Sequence, residues 1–240
     1  MIYSLRMVLL AIHFLVSGVL GLLIGLCRPF HPDNTRLCAR LYSIPARIIL
    51  GYRLETDITS VLDQHGSFLI AANHQSNYDL FVTGAVMPRR TVTIGKRSLL
   101  WAPLFGQVYW LAGNVLINRS NAEQAKQAML LTTDVLQNQN TSIWFFVEGT
   151  RNLGKGLLPF KSGAFHMAIN AGVPIIPMCT STYKKHLQFN KWHSGTVKIR
   201  SLPAITTTGL TLDDIPALVK QCRDQMLQCI AEMDLELENC

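Results

Sequence analysis

The N-terminal part of the chain begins with a continuous apolar run. Residues 7–26, MVLLAIHFLVSGVLGLLIGL, contain no Lys, Arg, Asp or Glu, and Arg6 and Arg28 flank the run. As an α-helix these residues are about 30 Å long, which is the thickness of the hydrocarbon core of a bilayer. The run is long for a signal peptide, and no A-x-A cleavage site follows it. The pattern therefore predicts a membrane anchor, and the alternative is a buried core helix.

A second helix is predicted over residues 33–51, where an apolar stripe lies beside a basic stripe. The apolar stripe consists of Leu37, Leu41, Ile44 and Ile48, and the basic stripe consists of Arg36, Arg40 and Arg47. This pairing suits the headgroup layer of an anionic membrane, and an ordinary surface helix is the alternative. We expect Pro45 to kink this helix or to divide it in two.

Small residues recur at four-residue spacing in the first helix. Ser17, Gly21 and Gly25 lie on one helical face, with Gly18 beside them. Such a stripe lets another helix approach closely inside a membrane. We therefore expect the two helices to form a hairpin, embedded or half-embedded in the bilayer, and we predict that residues 1–51 form a membrane-anchoring motif.

From residue 52 onward, short apolar runs alternate with helical patterns. The predicted strands are residues 67–72, 91–95, 114–118, 142–147, 173–179 and 196–202. The predicted helices are residues 120–138, which begin with a capping box of Ser120 and Glu123, residues 163–171 and residues 212–237. Alternating strands and helices predict an α/β sandwich around a mainly parallel central sheet, formed by residues 52–240.

The composition supports a membrane location. Hydrophobic residues make up 49% of the chain and charged residues only 15%, and the mean hydropathy is +0.22. The formal charge of +7 suits nucleic acid, an anionic membrane surface or an acidic substrate. Among these partners the apolar N-terminal run favours lipid headgroups, so we expect no nucleic acid partner.

The six cysteines give no sign of a metal site. They form no C-x-x-C pair, and no group of histidines has the spacing of zinc ligands. We interpret the cysteines as free thiols in a reducing compartment, and we predict that the protein needs no metal.

The first candidate for chemistry is the segment AANHQSNYDL, residues 71–80. His74 follows the predicted strand 67–72, and Ser76 and Asp79 have the S-x-x-D spacing of a helix start. On a continuous helix, a five-residue step turns through about 140°, so His74 and Asp79 would point in different directions. A bend between strand and helix instead brings Asp79 to the imidazole, where it fixes the tautomer and makes the other ring nitrogen a better base. The alternative is that Asp79 caps its helix while His74 packs at the strand end.

Other predicted strands also lead into polar or cationic residues. These residues are Lys96, Arg119, the turn Glu148-Gly149-Thr150-Arg151, and Lys161. The backbone N–H groups of the Gly149–Thr150 turn can face an anion, and the planar guanidinium of Arg151 suits a phosphate. Because the carboxyl ends of strands line one crevice in an open α/β sheet, these residues predict a site with one base and several cations. Such a site suits a phosphorylated substrate that carries a free hydroxyl group.

Four ordered motifs resemble those of the glycerolipid acyltransferases. The motifs are His74-x-x-x-x-Asp79, Gly113…Arg119, Glu148-Gly149-Thr150-Arg151 and Val173-Pro174-Ile175-Ile176-Pro177. The resemblance covers the chain from the N-terminal helix to at least Pro203, and it is closest to the bacterial members that acylate lysophosphatidate. Val147 and Asn118 stand where the family often has proline and aspartate, and neither replaces a residue with an expected chemical role.

The resemblance implies an activity and a set of residue roles. Family members transfer a fatty acyl group from acyl carrier protein or coenzyme A to the sn-2 hydroxyl of lysophosphatidate, which gives phosphatidate. His74 is implied as the general base and Asp79 as its partner, in a direct transfer without a cofactor. The implied ligands of the acceptor phosphate are Arg119, Gly149, Thr150 and Arg151, with Glu148 beside the glycerol and with Lys96 and Lys161 as further candidates.

Three other functions remain open at this point. The first is acylation of glycerol 3-phosphate or of another lysolipid, which depends on the acceptor pocket. The second is hydrolysis of a phospholipid, with His74 activating water instead of a hydroxyl group. The third is a membrane-binding module without enzymatic activity.

The distribution of arginines around the apolar run predicts an orientation in the membrane. Arg28, Arg36, Arg40 and Arg47 follow the run, whereas only Arg6 and the N-terminal amine precede it. By the positive-inside rule, residues 52–240 should lie on the cytoplasmic side of the bacterial inner membrane.

Overall fold

The computed structural model describes residues 1–118, 132–134, 136–137 and 139–239. Its helices are α1 (Ile2–Cys27), α2 (Asn34–Leu50), α3 (Thr59–Leu62), α4 (Asp79–Val82), α5 (Phe105–Leu111), α6 (Gly163–Ala171), α7 (Tyr183–His186) and α8 (Ile215–Glu238). Residues 132–134 and 136–137 are also helical, as predicted, whereas the predicted capping box of Ser120 and Glu123 lies outside the described residues.

Seven strands form one sheet within the described residues. They are β1 (Tyr52–Asp57), β2 (Leu69–Ala72), β3 (Thr91–Lys96), β4 (Val115–Ile117), β5 (Ser142–Phe146), β6 (Ile175–Thr180) and β7 (Gly195–Ser201). The order is β1-β7-β6-β2-β5-β3-β4, and every neighbouring pair is parallel except β6 and β7. The predicted mainly parallel sheet is confirmed, and it places the carboxyl ends of β5, β2 and β6 side by side.

Strand β1 has no counterpart among the predicted strands. Its sequence, YRLETD, alternates apolar and polar residues instead of forming a continuous apolar run. The strand lies at the edge of the sheet, where charged residues face solvent and one neighbour is missing. Because the prediction relied on the long apolar runs of doubly covered strands, it did not detect this one.

Helices cover both faces of the sheet. Helices α6 and α8 pack on one face, where Ile143, Phe165 and Met226 belong to a single buried cluster. Helices α2 and α4 pack on the other face, where Tyr42 and Ile70 lie in a second buried cluster. The predicted α/β sandwich is therefore confirmed.

Helices α1 and α2 form the predicted hairpin and pack against residues of the sheet domain. The imidazole of His13 in α1 hydrogen bonds the carbonyl of Tyr42 in α2, with 2.9 Å between Nε2 and O. A Cβ atom added at Gly21 would lie 2.9 Å from Cγ1 of Val108, and one added at Gly25 would lie 2.7 Å from Cβ of Leu111. The stripe of small residues therefore lets α1 approach α5 as well as α2.

Helix α2 continues through Pro45, so the predicted division of this helix does not occur. Proline removes the N–H that would have bonded the carbonyl of Leu41 four residues earlier. The hydroxyl of Ser17 in α1 donates to this carbonyl, with an O–O distance of 3.4 Å. The neighbouring helix thus replaces the hydrogen bond that proline cannot make.

The predicted apolar stripe of α2 faces away from the protein core. Leu37, Ile44 and Ile48 are exposed, and Ile48 keeps 75% of its surface accessible. The core face is formed instead by smaller residues and by Tyr42 and Leu50. The exposed stripe leaves room for the membrane contact that the sequence predicts, which stays a prediction.

Candidate active site

The candidate base, His74, lies just beyond the carboxyl end of β2. Asn73 holds the chain in place there, because its side chain accepts from the N–H of Thr180 at 2.9 Å and donates to the carbonyl of Thr180 at 3.0 Å. The chain then turns and enters α4, which begins at Asp79. The turn brings Nδ1 of His74 within 2.5 Å of Oδ2 of Asp79. The predicted contact between these two side chains is therefore confirmed.

Asp79 is buried and accepts hydrogen bonds on both carboxylate oxygens. Oδ2 accepts from the backbone N–H groups of Gln75 at 2.8 Å and of Ser76 at 3.1 Å. Oδ1 accepts from the hydroxyl of Tyr183. A carboxylate surrounded by donors in this way is an acceptor toward His74, so the proton lies on Nδ1 and Nε2 is left free to act as a base.

The imidazole of His74 is fixed on its face as well as on its edge. It stacks on Phe146 with 4.1 Å between ring centroids and an angle of 19° between ring planes. The side chain of His74 keeps 21% of its surface exposed, whereas that of Asp79 keeps 3%. The pair therefore has an accessible histidine supported by a buried carboxylate.

Glu148 holds the loop that carries His74. It is buried, and its Oε1 accepts from the backbone N–H of His74 at 2.6 Å. Its Oε2 accepts from the backbone N–H of Leu158 at 2.9 Å. Burial raises the pKa of Glu148, and the hydrogen bonds from His74, Leu158 and Asn152 oppose this rise. The predicted contact of Glu148 with the substrate glycerol stays a prediction.

The turn after β5 is bonded to the turn after β2. The N–H of Asn152 donates to the carbonyl of His74 at 2.9 Å, and that of Leu153 donates to the carbonyl of Gln75 at 3.1 Å. Gly149 has a φ of +69°, a conformation that favours glycine, and Thr150 and Arg151 are exposed. The structure therefore brings the predicted Glu148–Arg151 motif directly beside His74.

The other predicted cations differ in how closely they approach this turn. The N–H of Lys161 donates to the carbonyl of Val147 at 2.8 Å, and a Cβ atom added at Gly149 would lie 3.1 Å from Cγ of Lys161. Lys96 is exposed at the end of β3, two strands from β2 and hence about 10 Å away across the sheet. Arg119 lies outside the described residues. Lys161 thus joins the His74 site, whereas Lys96 lies farther along the same edge of the sheet.

Sequence reasoning missed two residues that shape the site, Gln75 and Tyr183. The amide of Gln75 donates to the carbonyls of Thr180 and Ser181 at 3.1 and 2.7 Å, and its oxygen accepts from the N–H of Tyr183 at 3.3 Å. Tyr183 is separated from Asp79 by 104 residues. Gln75 falls inside the motif that drew attention to His74, but no local pattern marks Tyr183.

The class of protein follows from comparison of this fold and site with known families. Residues 53–181 match the family model described as Acyltransferase. This match covers more than half of the chain, and it includes His74, Asp79 and the Glu148–Arg151 turn. The protein belongs to the acyltransferase family.

Relatives that cover nearly the whole chain narrow the comparison. The chain is 39% identical over 237 residues to the 1-acyl-sn-glycerol-3-phosphate acyltransferase of Escherichia coli (strain K12). This alignment covers 99% of this chain and 96% of that protein. The chain is also 39% identical over 240 residues to the enzyme of the same name from Haemophilus influenzae, with 99% and 98% covered. It is 36% identical over 227 residues to the human 1-acyl-sn-glycerol-3-phosphate acyltransferase alpha, with 92% and 79% covered.

A solved structure supports the fold independently. The crystal structure of the 1-acyl-sn-glycerophosphate (LPA) acyltransferase PlsC from Thermotoga maritima superposes with a TM-score of 0.69. The match covers 96% of this chain and 97% of that chain at 19% sequence identity. The two proteins therefore share a fold that includes the N-terminal helices.

Proposed function

We propose that this protein transfers a fatty acyl group from a thioester to the sn-2 hydroxyl of lysophosphatidate, which gives phosphatidate. The acyl donor would be acyl carrier protein or coenzyme A, and no cofactor would be needed. The contact between His74 and Asp79 carries this proposal, because it supplies a positioned base for a substrate hydroxyl. The names of the full-length bacterial relatives support lysophosphatidate as the acceptor.

The proposed chemistry is a direct transfer without a covalent acyl-enzyme. Nε2 of His74 removes the proton from the acceptor hydroxyl as the oxygen attacks the carbonyl carbon of the thioester. The tetrahedral intermediate then collapses, the C–S bond breaks, and the imidazolium returns the proton to the departing sulfur. Asp79 stabilises the positive charge that His74 carries between these two steps.

Cations beside the base would bind the phosphate of the acceptor. Arg151 offers a planar pair of donors in the turn that is bonded to the His74 loop. Lys161 packs against Gly149 of the same turn and would add a second positive charge to it. Arg119 and Lys96 would add positive charge along the carboxyl edge of the sheet, and Thr150 would donate from its hydroxyl.

The membrane face would be formed by α1. This helix is long and apolar enough to cross a membrane, with a mean hydropathy of 2.6 over an 18-residue stretch. Much of its length is covered by exposed apolar side chains, which are Leu5, Val8, Leu9, Ile12, Leu15, Val16, Val19, Leu20, Leu23 and Leu26. We place these side chains in the acyl region of the bilayer.

Contacts at both ends of α1 favour insertion into one leaflet. Arg6 is buried, and its guanidinium donates to the carbonyls of Phe189 and Lys191 at 3.0 and 2.6 Å. Gly25, about 28 Å farther along the helix, packs against Leu111. A helix that touches the same domain at both ends lies along that domain, so the active site would open at the cytoplasmic surface of the inner membrane.

The acceptor is tested with purified protein in detergent. Acyl-thioester is supplied with lysophosphatidate, with glycerol 3-phosphate or with other lysolipids, and the products are identified by mass. We expect phosphatidate as the main product. Loss of thioester without acylation of any acceptor would instead indicate a hydrolase and would contradict the proposal.

The base is tested by His74→Ala. We expect kcat to fall by about 10³-fold with the fold intact, because general base catalysis contributes about 10²–10⁴-fold and Asp79 then has no imidazole to support. His193→Ala is the matched control, since His193 is exposed on a surface loop. A His74→Ala variant with normal turnover would rule out the proposed mechanism.

A further inference from the structure

A groove of about 420 Å³ lies between α2 and β1, away from the candidate active site. Its polar rim contains Arg40, Ser43 and Arg47 of α2, and its apolar lining contains Leu54, Ile58 and Val86. We call it the α2–β1 groove. Three strand spacings separate β1 from β2 in the sheet, which places the groove roughly 14 Å from the strand that leads to His74.

The positive charge at this groove has no acidic partner within the described residues. Neither Arg40 nor Arg47 pairs with a carboxylate there. The Nε atom of Arg40 is buried and has no hydrogen-bond acceptor in the described part of the chain. A buried donor without an acceptor is destabilising, so an anion in the groove would stabilise this arrangement.

The basic character extends along the same helix. Burial and the neighbouring charges of Arg40 and Arg89 lower the pKa of Arg36, and Asp33 opposes this effect. Arginines that destabilise one another's charge attract an external anion. A guanidinium binds phosphate oxygens in a planar, two-bond geometry that suits this task.

The apolar surroundings identify the source of the anion as a lipid. Ile44 is 49% exposed and Ile48 is 75% exposed, and both lie on the face of α2 that carries Arg40 and Arg47. The apolar floor of the groove would contact the glycerol and the first methylene groups of a phospholipid. A free phosphate ion would leave this floor unused.

We propose that the α2–β1 groove binds the phosphate group of an anionic phospholipid at the membrane surface, as a second lipid site separate from the catalytic one. Arg40 and Arg47 are two helical turns apart, about 10 Å along the axis, and Ser43 lies between them. Their side chains can therefore converge on one phosphate from both sides. The proposal rests on the proposed membrane face of α1, and it adds a specific headgroup contact to that face.

The test compares binding to vesicles with and without anionic lipid. Binding of the wild type and of R40Q/R47Q is measured by sedimentation with two kinds of vesicle. One kind contains only phosphatidylcholine, and the other also contains about 20% phosphatidylglycerol, which is anionic. We expect about tenfold weaker binding to the anionic vesicles and unchanged binding to the neutral ones. The control R53Q/K220Q removes the same charge from two exposed positions outside the groove and should bind like the wild type.

Two further variants separate a built site from diffuse attraction. R40K/R47K keeps the charge and loses the planar guanidinium, so we expect it to bind anionic vesicles more weakly than the wild type. Thr56→Trp fills the groove from its exposed rim without changing the charge, and we expect the same loss. Wild-type binding by both variants would overturn the proposal in favour of a general electrostatic effect.

Turnover measured in detergent separates the proposed lipid site from the proposed acyltransferase function. All these variants should keep wild-type turnover with coenzyme A donor and lysophosphatidate in micelles, because none alters the His74 site. Normal vesicle binding by R40Q/R47Q, combined with a loss of turnover only with acyl carrier protein, would instead make the groove a docking site for that protein. A third outcome is that inorganic phosphate stabilises the wild type but not R40Q/R47Q, while both proteins bind vesicles equally. That outcome would identify a free-anion site and overturn the lipid assignment.

Discussion

His74 is fixed by contacts from helix α4 and from the end of β5 with the turn that follows it. Its ring nitrogen bonds Asp79, its backbone N–H bonds Glu148, and its carbonyl accepts from Asn152. Its ring stacks on Phe146. Each contact restrains a different degree of freedom, so the position of the candidate base depends on Phe146 and Asn152 as well as on Asp79.

Tyr183 offers the sharpest test of this support. Tyr183→Phe removes the donor to Oδ1 of the buried Asp79, and we expect the free energy of unfolding to fall by about 1–3 kcal/mol. The charge on Asp79 is then less dispersed and stabilises the protonated imidazole more strongly. We therefore expect the acid limb of the kcat/KM profile to move to higher pH.

The control for this test is Tyr3→Phe, because Tyr3 is exposed on α1. It should leave both the stability and the pH profile unchanged. A Tyr183→Phe variant that is destabilised but has an unshifted acid limb would mean that Tyr183 only packs against the site.

The raised pKa of Glu148 predicts that the free energy of unfolding depends on pH. Burial raises its pKa above the ordinary value of 4.5, so the folded protein holds the proton to higher pH than the unfolded chain does. The resulting stabilisation is complete below pH 4.5 and is lost as the pH rises through the folded pKa. Glu148→Gln does not titrate, so the stability of the wild type relative to this variant should decrease from pH 4.5 upward.

The same substitution should also weaken the loop. One oxygen of Glu148 becomes an NH₂ group that faces the N–H of either His74 or Leu158, and the lost hydrogen bond should cost about 1–3 kcal/mol. Urea unfolding of both proteins across this pH range measures the two effects together. A stability difference that stays constant with pH would contradict the raised pKa.

At the scale of elements, the fit of α1 against α5 depends on glycine. A Cβ atom at Gly25 would lie 2.7 Å from Cβ of Leu111, which is closer than real contacts allow. Gly25→Val should therefore lower the free energy of unfolding by about 1–3 kcal/mol, as measured by denaturation in detergent. Leu26→Val is the control, because Leu26 is exposed on the same helix.

A second substitution checks that this effect comes from the helix contact. Leu111→Gly removes the Cβ, Cγ and Cδ1 atoms that the new side chain would meet, so Gly25→Val should cost less in that background. An equal cost in both backgrounds would show that the glycine is needed for another reason.

At the scale of the whole molecule, the exposed apolar face of α1 is the proposed membrane contact. Leu15→Lys combined with Val19→Lys places two charges on this face without touching the core. We expect a large shift from the membrane to the soluble fraction, because each charge in the acyl region costs about 2.5–3.5 kcal/mol. The control Gln221→Lys with Gln225→Lys adds the same charge to exposed positions on α8 and should stay with the membrane.

The folded state of these variants must be checked beside the fractionation. A variant that keeps its circular dichroism and its turnover in detergent but stays fully membrane-bound would contradict the role of α1. It would point to a membrane contact elsewhere on the surface.

The sequence by itself determined the features that depend on short-range pattern. The apolar run gave α1, the buried apolar runs gave six of the seven strands in the described sheet, and the spacing of His74 and Asp79 gave their contact. These features could be predicted because hydrophobic periodicity and a strand-to-helix turn involve only nearby residues. The motifs at several strand ends then met in one place because parallel strands end at the same edge.

Tertiary structure alone decided the features that join distant residues. Tyr183 meets Asp79 across 104 residues, and the guanidinium of Arg6 meets the carbonyl of Lys191 across 185. The carbonyl of Leu41, which Pro45 leaves without its helical partner, accepts from the hydroxyl of Ser17 on another helix. The α2–β1 groove likewise exists only because an edge strand without a strong sequence signal lies beside α2. Such contacts depend on how helices and strands pack against one another. Because the contacting residues are far apart in the chain, no local sequence pattern predicts that they meet.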